Sequence, residues 1–209
     1  TSLQCEVCHS IGKTCSGPMK TCNNGEDTCG IILHEVVMGG MSIPSSIKSC
    51  LPSRLCQLGP ITLNYGKVRA RSHLSCCKGD DCQTISVSLP PEDSKPNGLQ
   101  CPACYNVDSF QCPEEFVNCT GSENYCIDLA GLMNSGELSL KAAMKGCTTI
   151  SECNIVRDGR NNMGMFDIKL KRFLCTEASR STGWPSVFAS PANIFLPVLS
   201  GFIMVKIFF

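Results

Sequence analysis

Short runs of apolar and β-branched residues, broken by glycine and asparagine, set out the elements of this chain. "TCGIILHEVVM", then Gly39-Gly40, then "MSIPSSIKSC" reads as a β-hairpin, because a two-residue turn of the favoured hand needs positive φ at both positions. The second half repeats the form with "YCIDLAGLM", the turn-formers Asn134-Ser135-Gly136, and "ELSLKAAMKGC". A further hairpin is predicted between Cys56 and Cys76, turning near Asn64-Tyr65-Gly66. Its counterpart lies between Cys153 and Cys175, turning near Asp158-Gly159-Arg160-Asn161. "HSIGKTCSG" reads as a short polar hairpin tip, and "YNVDSFQCPEEF" has no helical apolar period. Residues 85–99 shift to Ser, Pro and charge and read as an extended linker. The pattern is all-β, with three hairpins on each side of that linker.

Cysteine usage says what ties the hairpins. Eighteen cysteines in 209 residues is the level of a disulfide-stapled extracellular scaffold, since small units with thin cores need cross-links. The gaps from Cys5 to Cys76 are 3, 7, 7, 7, 21, 6 and 20, and those from Cys101 to Cys175 are 3, 8, 7, 7, 21, 6 and 22. Such agreement marks an internal duplication. It also disposes of three local readings of the opening "LQCEVCHSIGKTC". The two Cys-x-x-Cys pairs stand 96 residues apart, too far for a zinc ribbon. No βαβ setting supports a redox pair. A phosphate loop ending at Gly12-Lys13-Thr14 needs glycine where Val7 stands. No cofactor or metal is expected.

Charge narrows the partners. With 18 basic and 18 acidic side chains the formal net charge is zero, so no global field draws the chain to nucleic acid. "TSLQC" fits a mature N-terminus left by signal-peptide removal. There is no G-x-S-x-G elbow, and His9, His34 and His73 fall in separate fingers, so catalysis is not expected; His34 reads as a mid-strand surface residue.

Ten cysteines in this order, ending in "CCKGDDC", resemble the three-finger domain of the Ly-6/urokinase-receptor superfamily. The second unit is similar to the same domain without its last bridge. "CEVCHSIGKTCSG", the interdomain "SKPNG" and the solitary late cysteine resemble the two-domain gamma-type phospholipase A₂ inhibitors over roughly residues 3 to 178. Spacing alone leaves many pairings open. The resemblance implies Cys5 with Cys29, Cys8 with Cys15, Cys22 with Cys50, Cys56 with Cys76 and Cys77 with Cys82. In the second unit it implies Cys101 with Cys126, Cys104 with Cys112, Cys119 with Cys147 and Cys153 with Cys175. It implies tandem three-finger domains at 1–84 and 100–178. Gln83 departs from the superfamily, which usually has Asn after the domain's last cysteine.

The C-terminal segment 179–209 carries its own chemistry. Ser181-Thr182-Gly183 are small, Trp184 to Asn193 are an uncharged spacer, and Ile194 to Phe209 are apolar apart from Lys206. That is the layout of a glycosylphosphatidylinositol (GPI) attachment signal, with Ser181 as the attachment residue. Asn118-Cys119-Thr120 is an N-glycosylation sequon. Finger tips offer Met38, Met41, Tyr65, Leu132 and Met133 as candidate binding residues. Lys67, Arg69 and Arg71 alternate along one strand, and Lys169 and Lys171 along another; each stripe reads as a solvated face or as a docking surface for an acidic protein or glycan. Two functions follow: a non-catalytic cell-surface binding module held by a GPI anchor, with an extracellular or cell-surface protein ligand, or a secreted phospholipase A₂ inhibitor.

Overall fold

The computed structural model describes residues 2–135, 138–150, 160–163 and 166–180, with backbone alone for 133–135, 138, 160–163 and 166–168. Cys153, its expected bridge to Cys175, and the tail with Ser181 lie outside the described residues.

In the first unit β1 (Gln4–Glu6) pairs with β3 (Met19–Thr21), and β2 (Cys8–Ile11) lies on the outer edge of β5. The central hairpin is β4 (Thr28–Met38) with β5 (Met41–Leu51), closed by Gly39 at φ 58° and Gly40 at φ 82°. Met38 pairs with Met41, so the turn is the two-residue type with positive φ at both positions, which glycine adopts without strain. β6 (Ile61–Asn64) turns through Gly66 into β7 (Val68–Cys77), which packs back on β4, and the one-turn helix α1 (Asp81–Thr84) closes the unit. Gln83 has an exposed side chain there.

The second unit opens with β8 (Pro96–Val107) against β9 (Glu115–Thr120). β10 (Tyr125–Ser135) is flanked by β11 (Leu138–Thr148) and β13 (Phe166–Glu177), with β12 (Arg160–Met163) at the edge. The unit ends with β14 (Ser179–Arg180) pairing back onto β8, where the first unit instead carries the Cys77–Cys82 bridge.

Three sequence expectations move. Asn134 and Ser135 still pair in β10, with Ser139 and Leu138, and so belong to the strand rather than to the turn. Arg160 and Asn161 belong to β12, and Met163 pairs with Phe166. Arg160 and Asn161 are therefore strand rather than turn, because strand pairing overrides local turn propensity. The linker ends at Lys95, since β8 already begins at Pro96.

Among the described residues eight disulfides are present: Cys5–Cys29, Cys8–Cys15, Cys22–Cys50, Cys56–Cys76, Cys77–Cys82, Cys101–Cys126, Cys104–Cys112 and Cys119–Cys147. The two core bridges of each unit stack, with Cys5 Sγ 3.3 Å from Cys22 Sγ and Cys101 Sγ 3.5 Å from Cys119 Sγ. Around each stack gather only a few apolar side chains, such as Leu3, Ile31 and Ile85 in the first unit and Leu99, Val117 and Ala178 in the second. Sulfur thus supplies most of the base of each unit.

The units are joined edge to edge. β6 pairs with β11 through Leu63 with Thr148 and Asn64 with Cys147, giving one sheet in the order β12-β13-β10-β11-β6-β7-β4-β5-β2. Thr62 N donates to Thr149 Oγ1 at 3.0 Å, and the buried Asn64 donates from Nδ2 to the Asn118 carbonyl at 3.3 Å. Buried Glu123 receives Thr62 Oγ1 at 3.3 Å. The linker is strapped down as well: Arg71 donates to the Pro90 carbonyl at 2.9 Å, His73 Nδ1 meets the Ser88 carbonyl at 2.7 Å, and Gly121 N donates to the Lys95 carbonyl at 3.0 Å.

Candidate binding surface

Strand registers place a band of apolar side chains on one face of the joined sheet. In the first unit Met38 lies opposite Met41 and Val68, and Val36 lies opposite Ile43. In the second, Leu129 lies opposite Met144 and Phe173, Met144 opposite Tyr105, and Ala142 opposite Val107. The middle of this band is sealed: Tyr65, Val68 and Ile127 are buried together, packed by Val36, Leu63, Leu129, Met144 and Phe173. Its two ends are open. Met38, Met41 (58% exposed) and Ile43 crown the β4–β5 hairpin, and Tyr105 and Val107 stand exposed on β8. A rigid hairpin tip carrying flexible thioethers is suited to filling an irregular apolar groove in a partner.

Among the proposed tips Met38 and Met41 are therefore at the surface, and Tyr65 is not. Tyr65 is 7% exposed, with its ring centroid 6.0 Å from that of Tyr105, because β6 and β8 lie end to end along the same edge of β11. Burial pushes its phenol pKa well up. Leu132 is half-buried and pairs with Lys141 and Lys169, which puts it on the opposite face from Met144 and back from the reversal. Met133 pairs with Leu140 and Ile168, and its side chain lies outside the described residues. Ile43, Tyr105 and Val107 escaped the sequence reading, although Ile43 alternates with Met41 and Val107 with Tyr105, the period that puts two side chains on one face.

Charged groups on the other face of the first unit are engaged. Arg71 Nε lies 2.5 Å from Glu35 Oε2, and Ser42 Oγ donates to Glu35 Oε1 at 2.7 Å, so Arg71 first and Ser42 second hold that carboxyl below its ordinary range. Arg69 reaches Glu92 only at 3.9 Å, and Lys67 falls in the turn before β7. The predicted stripe is thus covered in part by the linker. Between these groups, the linker and the 120–123 loop lies a cleft of about 370 Å³. Its carboxylates Glu35 and Glu123 accept from neighbouring side chains and Asp93 from the Lys95 amide, which makes it a junction between units.

His9, His34 and His73 lie on β2, β4 and β7, with His34 and His73 on opposite faces. His34 is half-buried rather than a surface residue, and desolvation lowers its pKa against the opposing pull of Glu35. Cys5, Cys22 and Cys50, and likewise Cys101, Cys119 and Cys147, bring sulfurs within 4.8 Å of one another, yet each is bonded in a disulfide and has no thiolate to give a metal. Asn118 is exposed, with Oδ1 accepting from Gln100 Nε2 at 2.7 Å, while the hydroxyl of Thr120 is buried beside Glu123.

Comparison with known proteins finds a phospholipase A2 inhibitor family match over residues 3–84 and a u-PAR/Ly-6 domain match over residues 97–179. Phospholipase A2 inhibitor NAI of Notechis ater is 34% identical over 178 residues, 84% of this chain and 88% of its own. The phospholipase A2 inhibitor 25 kDa subunit of Naja kaouthia is 37% identical over 183 residues, 84% and 95% of the two chains. Phospholipase A2 inhibitor PIP of Malayopython reticulatus is 32% identical over 186 residues, 85% of this chain and 88% of that protein. A crystal structure of mouse TEX101 aligns over 83% of this chain and 98% of its own at 17% identity, with a TM-score of 0.36, too low to carry an argument.

Proposed function

Because the chain belongs to the phospholipase A₂ inhibitor family with u-PAR/Ly-6-type domains, we propose that it is a non-catalytic extracellular protein that binds a phospholipase A₂ and blocks access of substrate. The observation carrying this is similarity running through both units, with inhibitors at 32–37% identity over more than four-fifths of the chain. It favours the inhibitor reading over a receptor or adhesion role. The contact surface in this proposal is the exposed apolar end formed by Met38, Met41 and Ile43, extended by Tyr105 and Val107.

A chain ending at Arg180, which keeps every described residue, is expected to bind at least one member of a panel of secreted phospholipases A₂ more tightly than about micromolar, equivalent to roughly −8 kcal/mol. Met38→Glu with Met41→Glu is expected to weaken that binding by about tenfold or more, since two charges would be desolvated against an apolar groove. No binding across the panel overturns the proposal.

A second reading concerns where the protein acts, and rests on the tail composition alone. Ser181-Thr182-Gly183, the spacer and the apolar end support GPI attachment at Ser181, and hence display on the cell surface. Phosphatidylinositol-specific phospholipase C is expected to release the protein from expressing cells. Secretion without any enzyme-releasable surface pool removes this reading. An N-glycan at Asn118 fits its exposure, and its addition must precede folding, because Thr120 is then buried and Cys119 bonded.

A further inference from the structure

The face of the second unit opposite the apolar band is a platform of cations. Register puts Lys141, Ala143 and Lys145 of β11, Leu132, Ala130 and Asp128 of β10, and Lys169, Arg172 and Leu174 of β13 on it together. A bulge between Ala130 and Gly131 shifts β13 by one residue, leaving Lys171 between the Leu170 and Arg172 pairs. Lys171 turns to the same side as Lys141, for both lie over the ring of Phe110, with Nζ 4.4 Å and 5.6 Å from its centroid. The half-buried Phe110 thus props two ammonium groups from strands on either side of β10. Lys145 is held by Glu114 and Asp128, and Arg172 by Asp128 at 2.8 Å. Lys141, Lys169 and Lys171 are exposed and have no ion pair among the described residues. Even with exposed Asp108 beside Lys141 counted in, cations outnumber the described carboxylates here.

We propose that this face binds a sulfated polysaccharide chain. β10 is flanked by strands on both sides, so at the centre of this face no backbone edge is free for an acidic peptide to extend. What the face offers is spaced point charge, presented across about 10 Å of sheet from β11 to β13, which an extended polyanion satisfies without further recognition. Anionic phospholipid is concentrated in the cytoplasmic leaflet, away from a disulfide-bonded extracellular protein. The lysine face and the apolar band lie on opposite sides of the sheet, so this binding is independent of phospholipase capture.

The test uses the full chain, purified from cells that process it, and immobilised heparin as the probe, with desulfated heparin, phosphatidylserine-containing vesicles and poly-glutamate in parallel. Retention on heparin with salt-dependent release, and none on the other three, is expected. Lys141→Gln, Lys169→Gln and Lys171→Gln together should weaken heparin binding by about tenfold or more, and Lys169→Gln alone, at an exposed position where folding is not at stake, by about threefold. Phe110→Leu, which keeps the charges and removes the ring, should weaken it by about two- to threefold. Lys67→Gln in the first unit should bind like wild type. The proposal is overturned by a triple variant that binds heparin like wild type, by an unchanged Lys169→Gln protein, by equal binding to desulfated heparin, or by preference for vesicles or poly-glutamate.

Discussion

His34 and Glu35 sit side by side on β4 and face opposite sides of the sheet, and they respond to acid in different pH ranges. Burial holds the His34 pKa below its ordinary value of 6.5, so the imidazole stays neutral in the fold at a pH where the unfolded chain already takes up a proton. Below about pH 6.5 the unfolded state therefore binds more protons, and stability falls as pH falls. Glu35, with its carboxyl pKa depressed by Arg71 and Ser42, and Glu6, with its own depressed by Lys48 and the Gly17 amide, behave differently. Their contribution is complete above the unfolded value of 4.5 and is lost only as pH drops through the lower folded values. Denaturant midpoints of wild type should thus decline in two stages. In His34→Gln the first decline, which sets in below about pH 6.5, should disappear while the second remains. An unchanged first stage would show that another group produces it.

At the scale of the element, hairpins were readable and their neighbours were not. Gly39-Gly40 lies between two runs that pair with each other, so Met38 and Met41 could be placed at a tip from local sequence. Cysteine gaps announced the duplication for the same reason, being a pattern within the chain, whereas the bridges themselves needed the family resemblance. Tyr65 looked like a tip because it precedes Gly66; what buries it is Tyr105, forty residues on, and strands further still. Alternation already put Lys169 and Lys171 on one face; what it could not supply is Lys141 from β11 and the bulge that brings Arg172 to the same side. Gly146 shows how tightly such a non-local junction is fitted. A Cβ there would lie 2.0 Å from the Asn64 carbonyl oxygen, on backbone that cannot swing aside as a side chain does. Gly146→Ala should cost about 1–3 kcal/mol and loosen β6 from β11, read as faster amide exchange at the Asn64 and Cys147 amides together. Loss of protection confined to the second unit would place the strain elsewhere.

The whole molecule draws its unity from a small area. Each unit has its own stacked bridges, so each carries the means to stay folded, and among the described residues two ladder pairs, a few polar contacts, the strapped linker and one apolar cluster stand between them. That cluster is the one place among the described residues where apolar side chains from both units meet with residues such as Tyr65, Val68 and Ile127 almost wholly out of water. It also fixes the angle at which the hairpin tip and β8 present the two open ends of the binding band. Coupling through burial predicts one calorimetric transition for the intact protein, since neither half unfolds without exposing the other's share of the cluster. Tyr65→Ser removes the ring at the centre and should cost about 3–5 kcal/mol, the range for deleting a buried aromatic side chain. With the cluster emptied and the bridges of both units intact, the single transition should split into two. Proteolysis in 85–95 should also become faster in the variant, because the strap of Arg71, His73 and Lys95 contacts would then hold alone. A variant that melts in one transition at a lower temperature would assign the coupling to the β6–β11 ladder and the linker, and the apolar cluster would lose its place as the joint.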